Sequence, residues 1–71
     1  MSLSARNQFA GTIRSVRKGG VMAEVVIEVN GLEIVSLIST SSAKRLGLKK
    51  GKKAIAVIKA TEVIISTDDD R

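Results

Sequence analysis

Hydroxyl side chains cluster at one point of this sequence, in a pattern that could bind an anion. Ser39, Ser41 and Ser42 come directly before a segment that favours helix. The first backbone N–H groups of a helix have no partner inside it, and the helix dipole makes that end positive. Because Ser39 and Ser42 are three residues apart, we expect both hydroxyls near one helix N-terminus. The alternative is plain capping, in which one serine satisfies the helix and the others face water.

Two cationic side chains stand near predicted strand ends and complete a candidate donor set. Arg6 precedes the first strand, and its alternative role is a loose N-terminal arm. Lys59 lies on the same predicted face of its strand as Ile55 and Val57, which predicts a partly buried ammonium. Because lysine is rarely buried without a partner, such a position would indicate a function. The alternative for Lys59 is that the strand ends and the ammonium reaches water.

The side chains that usually carry catalysis are missing from the sequence. It contains 0 His and 0 Cys, so it lacks the common bases, the thiol nucleophile and the usual zinc and copper ligands. Glu24 and Glu28 lie four residues apart on the outward face of one predicted strand, where we interpret them as solvated charges. No glycine-rich nucleotide motif is present. We therefore predict a protein that is not an enzyme and holds no bare metal cation.

The elements that position the donors follow from the hydrophobic pattern. Strict alternation over residues 21–30 predicts a strand with one buried face. Asn30-Gly31 favours a two-residue type I′ turn, and residues 32–38 form the returning strand. A weaker alternation predicts a strand over residues 7–18, which Gly19-Gly20 connects to the strong strand.

The second half of the chain adds a helix and two more predicted strands. Residues 43–46 favour one or two helical turns, ended by Gly47. Strands follow over residues 53–59 and 61–66. The fold class is therefore all-β, a five-stranded OB-like barrel with one short helix between strands 3 and 4, with an SH3-like barrel as the alternative. We expect one domain over residues 1–67 and a disordered acidic tail over residues 68–71.

The composition favours a small oligomer with an anionic partner. A chain of 71 residues buries little core by itself, and without disulfides or a metal, subunit association is the remaining means of stabilisation. The net charge is +5, and up to Thr67 there are 11 basic and 4 acidic residues. No stretch has the length of a membrane span or the pattern of a signal peptide. We expect a cytoplasmic location and no membrane partner.

Three segments resemble the molbindins, the Mop-type molybdate-binding proteins. They are SARNQ at residues 4–8, ISTSSAKRLGL at residues 38–48 and AVIKATEV at residues 56–63. The resemblance covers residues 2–66. The same module occurs at the C-terminus of molybdate-responsive transcription regulators and of molybdate transporter ATPases.

The resemblance implies molybdate or tungstate bound at subunit interfaces of a homo-hexamer, a trimer of dimers, for intracellular molybdenum storage or homeostasis. It also implies two kinds of oxyanion site. The first, carried over by position, uses residues of one subunit together with Ser39 and Ser42 of a neighbour; the former are Ser4, Ala5, Arg6, Lys59, Ala60 and Thr61. Ala60 has no hydroxyl, so it would contribute a backbone N–H. The second site lies near the threefold axis, uses mostly backbone, and falls at Gly19, Gly20 and Val21.

Two other functions compete with this interpretation. A basic OB-fold domain could bind nucleic acid, but single-strand binders stack bases on aromatic rings and Phe9 is the only aromatic residue. We therefore expect no nucleic-acid partner. A regulatory module without a ligand is the other alternative, and equilibrium dialysis against molybdate, phosphate and an oligonucleotide would separate the three.

Overall fold

β-strands make up more than half of the residues that the structure describes. The structure, a computed structural model, describes residues 6–67. Its elements, in chain order, are β1 (Asn7–Lys18), β2 (Met22–Val29), β3 (Leu32–Ser39), α1 (Thr40–Arg45), β4 (Lys53–Ile58) and a 3₁₀ turn at Ala60–Glu62. This order confirms the predicted three-stranded meander followed by one short helix. Among the described residues, no helix is long and apolar enough to cross a membrane.

The four strands form one antiparallel sheet in the order β3-β2-β1-β4. β2 pairs with β1 on one side and with β3 on the other, and Met22 lies opposite Ser39. β4 pairs with the first half of β1, so that Asn7 lies opposite Ile58. β1 therefore pairs with β4 along its first half and with β2 along its second half.

The hairpin between β2 and β3 turns at Asn30 and Gly31, as predicted. Their φ angles are 50° and 81°, so both residues lie in the left-handed region that a type I′ turn requires. The turn places Val29 opposite Leu32 and sets the register of the whole β2–β3 pair. This register puts the alternate residues of β2 on the core face.

The core lies on one face of the sheet and is built from aliphatic side chains. β2 contributes Ala23, Val25, Ile27 and Val29, as its alternation predicted, whereas Val21, the first residue of the same alternation, lies before β2 and is 77% exposed. Ile13 of β1 and Ala56 of β4 pack against them. Because this core is small and contains no aromatic ring, it leaves many apolar side chains on the surface.

The outer face of the sheet carries paired charges. Arg14 lies where the β1–β2 register shifts, and its guanidinium bonds to Glu28 at 2.9 Å and to Glu33 at 3.0 Å. Arg17 lies 3.9 Å from Glu24. The outward position predicted for Glu24 and Glu28 is therefore confirmed, but both carboxylates are partnered by arginines across the strands.

The predicted orientation of β4 is wrong, because the opposite face of the strand is buried. Ile55 and Val57 were expected to face the core, yet they are 46% and 39% exposed, while Ala56 is buried. Alternation alone does not show which face of a strand is buried. Ala56 packs against Ile13 and the β2 side chains, and alternation along β4 places Ala54 and Ile58 on the same face as Ala56 and places Ile55 and Val57 on the other. Lys59 consequently shares the exposed face, in agreement with the alternative stated for it.

The fifth strand predicted at residues 61–66 does not form within this chain. The 3₁₀ turn occupies Ala60–Glu62, and none of residues 63–67 belongs to a strand. Ile64 and Ile65 are 93% and 84% exposed. A β-branched sequence favours extended backbone, but a strand also needs a neighbouring strand to pair with.

The sheet is consequently open between its edge strands β3 and β4. A groove of about 600 Å³ lies there, lined mainly by apolar residues of the strands, among them Ile34, Ile38, Ala54 and Ile58. The four observed strands confirm a mainly β fold with one helix, although they do not close a barrel.

Some of the sequence predictions fall outside residues 6–67. They concern Ser4 and Ala5 of the candidate site and the acidic tail at residues 68–71.

Candidate anion-binding site

The serine cluster at the start of α1 forms as the sequence predicts. Ser39 is the N-cap residue, and its Oγ accepts a hydrogen bond from the Ser42 backbone N–H at 3.1 Å. The Oγ atoms of Ser39 and Ser42 are 2.8 Å apart, and Ser41 Oγ lies 3.2 Å from Ser39 Oγ. The hydroxyl groups of Ser41 and Ser42 therefore both lie within hydrogen-bonding distance of Ser39 Oγ, which also caps the helix.

The backbone of α1 contributes fewer donors than the sequence suggests. The Thr40 N–H donates to Val21 O at 2.8 Å, and the Ser42 N–H is used by Ser39. The helix has only six residues, so its dipole is small. Any anion bound here would depend mainly on the hydroxyl groups and on nearby positive charge.

Arg45 is a positive charge beside these serines that the sequence analysis missed. Its Nη2 atom lies 3.5 Å from Ser42 Oγ. The guanidiniums of Arg14 and Arg17 pair with carboxylates, but Arg45 has no such ion pair with any residue in the described part of the chain. The signal was available, since residues three apart on a helix are neighbours.

Arg6 and Lys59 belong to a second group of donors, at the end of β1 opposite to the serine cluster. Asn7 pairs with Ile58, and the Asn7 side-chain amide also donates to Ile58 O at 3.1 Å. Antiparallel pairing therefore brings the adjoining residues, Arg6 and Lys59, to the same end of the sheet. Both are exposed, as the alternative readings expected.

The 3₁₀ turn adds backbone donors next to Lys59. Lys59 O and Ala60 O accept from the N–H groups of Glu62 and Val63. The N–H groups of Ala60 and Thr61 have no such acceptor among residues 6–67. Both residues are exposed, so within the described part of the chain these two N–H groups are candidate donors for a ligand or for a partner.

These two groups of donors lie at opposite ends of β1. Ser39 pairs with Met22, beside the connection that follows Lys18, whereas Arg6 immediately precedes Asn7 at the other end. β1 has 12 residues, which corresponds to about 36 Å of strand at the usual rise. A single chain therefore does not bring the serines together with Arg6 and Lys59.

The turn at Gly19, Gly20 and Val21 lies beside the serine cluster. Thr40, between Ser39 and Ser41, donates from its hydroxyl to Gly19 O at 2.8 Å and from its N–H to Val21 O at 2.8 Å. The Gly19 N–H donates to Met22 O at 2.8 Å, whereas the N–H groups of Gly20 and Val21 have no acceptor among the described residues. The turn thus offers two backbone donors, not three.

Comparison with known proteins gives consistent matches over nearly the whole chain. A family profile described as TOBE domain matches residues 3–65. Molybdenum-pterin-binding protein 3 of Clostridium pasteurianum is 50% identical over 66 residues, which make up 92% of this chain and 97% of that protein. It is named as a binding protein and not as an enzyme.

Solved structures with the same fold include two molybdate-binding proteins. One, from Sporomusa ovata, superposes with a TM-score of 0.89 and 38% identity, over 93% of this chain and 98% of its own. The other is the cytoplasmic molybdate-binding protein ModG with molybdate bound, with a TM-score of 0.81 and 41% identity. That match covers 84% of this chain and 43% of ModG.

Proposed function

Because this chain belongs to the TOBE domain family, as the match over residues 3–65 shows, we propose that it binds molybdate at sites shared between subunits. Relatives of similar length are named for binding molybdenum-pterin or molybdate. The separation of the donors supports a site shared between subunits, because Arg6 and Lys59 lie at one end of β1 and the serines at the other.

The proposed site combines the donors beside the 3₁₀ turn of one subunit with the serine cluster of another. Arg6 and Lys59 supply two positive charges, the first as a planar fork and the second as a compact ammonium. The available N–H groups of Ala60 and Thr61 supply neutral donors. Ser39 and Ser42 of the neighbour add hydroxyl groups. Ser4 and Ala5, outside the described residues, complete the set that the resemblance implies.

This donor set suits a fully deprotonated tetrahedral dianion. Molybdate carries two negative charges and no proton at neutral pH, so it needs donors and positive charge only. Phosphate keeps a proton near pH 7 and needs an acceptor for it. No carboxylate belongs to the proposed set, so we expect molybdate to bind more tightly than phosphate. Tungstate has nearly the same size and charge, and we expect it to bind as molybdate does.

A second, weaker site is proposed at Gly19, Gly20 and Val21. The N–H groups of Gly20 and Val21 are its donors, and Gly19 contributes through the shape of the turn, because its own N–H is used by Met22. Two backbone donors from one chain are few for a dianion, so this site requires the same turn from further subunits.

The subunits are proposed to complete one another's barrels by exchanging residues 63–66. Among the described residues, no strand pairs with the outer edges of β3 and β4, which border an apolar groove, and Ile64 and Ile65 are exposed. The segment of a second copy, laid between β3 and β4, would satisfy both edges and bury one of the two isoleucines, because successive side chains of a strand point to opposite faces. This arrangement gives the five-stranded OB-like barrel. We propose a hexamer, a trimer of such dimers, as the working assembly.

The cellular role that follows is storage or buffering of molybdenum inside the cell. A cytoplasmic location is proposed from the likeness to ModG, which is described as cytoplasmic.

Isothermal titration with molybdate tests the proposed function. Arg6→Ala and Lys59→Ala should each weaken binding about 10- to 100-fold, since a hydrogen bond to a charged group contributes about 1.5–3 kcal/mol. Both side chains are exposed, so the thermal unfolding midpoint should change little. Lys50→Ala is the matched control, because Lys50 is an exposed lysine in a turn outside the proposed site.

The competing functions give different results in the same assay. Binding of a single-stranded oligonucleotide in place of molybdate would favour a nucleic-acid module, and no response to any ligand would favour a regulatory module. If Arg6→Ala and Lys59→Ala both bind molybdate as tightly as Lys50→Ala, the site assignment is wrong.

A further inference from the structure

Thr40 is the one polar residue that is buried in the described part of the chain, with 8% of its surface exposed. Its hydroxyl donates to Gly19 O and its backbone N–H donates to Val21 O, both at 2.8 Å. Neither group is directed to a ligand. Two hydrogen bonds from one residue therefore join the start of α1 to the turn between β1 and β2.

Packing does little to hold this turn in place. Val21 is 77% exposed, and a Cβ added to Gly20 would meet no atom within 4 Å. Apart from the two bonds to Thr40, the bond from the Gly19 N–H to Met22 O is the only one that the turn makes with residues 6–67. The position of the unpaired Gly20 and Val21 N–H groups thus depends on Thr40 more than on side-chain contacts.

The same residue also fixes the serine cluster. Thr40 lies between the N-cap Ser39 and the serines at positions 41 and 42, at the first position of α1. α1 is short, and Ala43 is the only other buried residue of the helix, so few contacts besides those of Thr40 fix its direction. Anchoring Thr40 therefore anchors the three hydroxyl groups.

We propose that Thr40 is a positioning residue for oxyanion binding: it holds the serine donors and the Gly20–Val21 donors in one fixed arrangement without touching the ion. This inference rests on the proposed function. It assigns a binding role to a residue that lies outside both donor sets.

The test compares Thr40→Val, Thr40→Ser and a matched core variant, Ile13→Val. Valine has nearly the shape of threonine but cannot donate, whereas serine keeps the hydroxyl. Ile13 is 1% exposed and far from any proposed donor set, so Ile13→Val gives a similar loss of stability by a different route. Titrations with molybdate are made well below the unfolding midpoint of every variant.

We expect Thr40→Val to weaken molybdate binding about tenfold, the size of one lost buried hydrogen bond. Thr40→Ser and Ile13→Val should stay within about twofold of the unaltered protein. Without any ligand, hydrogen exchange of the Gly19 amide should become faster in Thr40→Val and remain slow in Thr40→Ser.

A purely structural role predicts a different pattern. If Thr40→Val unfolds at a lower temperature but binds molybdate as tightly as Ile13→Val does, the positioning role is refuted while the proposed function stands. If the unaltered protein binds no molybdate, the proposed function itself fails, and the role of Thr40 fails with it.

Discussion

Replacing Ile64 and Ile65 together by Asp should separate the subunits. Both side chains are almost fully exposed in the single chain, and one of the two would be buried if residues 63–66 paired as a strand with β3 and β4 of a second copy. Charged side chains in the apolar groove would lose the burial of the isoleucines and add a desolvation cost.

The size of the effect follows from the exposure of the two side chains. Burying one isoleucine stabilises by about 1.5–3 kcal/mol, and one isoleucine of each exchanged segment faces the groove. A symmetric exchange contains two segments, or about 3–6 kcal/mol in all, as an upper estimate. The entropy lost on association is common to both proteins and cancels. The dimer dissociation constant should therefore rise at least about 10²-fold.

Sedimentation velocity at micromolar concentration measures this change directly. The unaltered protein should sediment as an oligomer of several 7.5 kDa chains, and the Ile64→Asp/Ile65→Asp variant as a monomer. Because the proposed site combines donors of two subunits, the monomeric variant should also lose molybdate binding, although Arg6, Lys59 and the serines are intact.

The matched control replaces both isoleucines by Val, which keeps β-branched apolar side chains. This variant should remain oligomeric and bind molybdate. If the aspartate variant still sediments with the mass of the unaltered oligomer, the exchanged segment does not hold the subunits together and the argument is refuted.

Two predictions concern the fold itself, and chemical denaturation measures both. Gly11→Ala should destabilise the fold by about 1–3 kcal/mol or more, because the new Cβ would overlap Glu28 O and lie 2.8 Å from Val29 Cγ2. If this variant were as stable as the unaltered protein, β1 and β2 would be able to move apart at little cost. Gly31→Ala should destabilise by about 1–2 kcal/mol, because φ at this position is 81°, whereas Asn30→Gly at the preceding turn position should be nearly neutral; equal effects of the two would contradict the type I′ assignment.

Local sequence patterns were sufficient for much of the sheet. The alternation in β2 determined which of its side chains form the core, and Asn30-Gly31 determined the hairpin turn. Ser39 was identified as part of the helix N-terminus from its type and from the helix formers that follow it. These features depend on interactions between residues near one another in the sequence, so a local pattern contains the needed information.

The face on which β4 is buried was decided by the tertiary structure. Ala56 lies inside and Ile55 outside, although the larger residue has the greater hydrophobicity. The register with which β4 pairs with β1 sets this orientation, and that pairing joins segments that are distant in sequence.

The candidate site shows the same division. The sequence supplied its donor types, Arg6, Lys59 and the serines, both from their chemistry and from the resemblance. Only the strand pairing revealed that Arg6 and Lys59 lie at one end of β1 and the serines at the other. Only the folded chain revealed the bonds from Thr40 to Gly19 and Val21, which join segments about 20 residues apart. Residue type determines what a group can bind, but its position depends on long-range hydrogen bonds and packing, which no local pattern encodes.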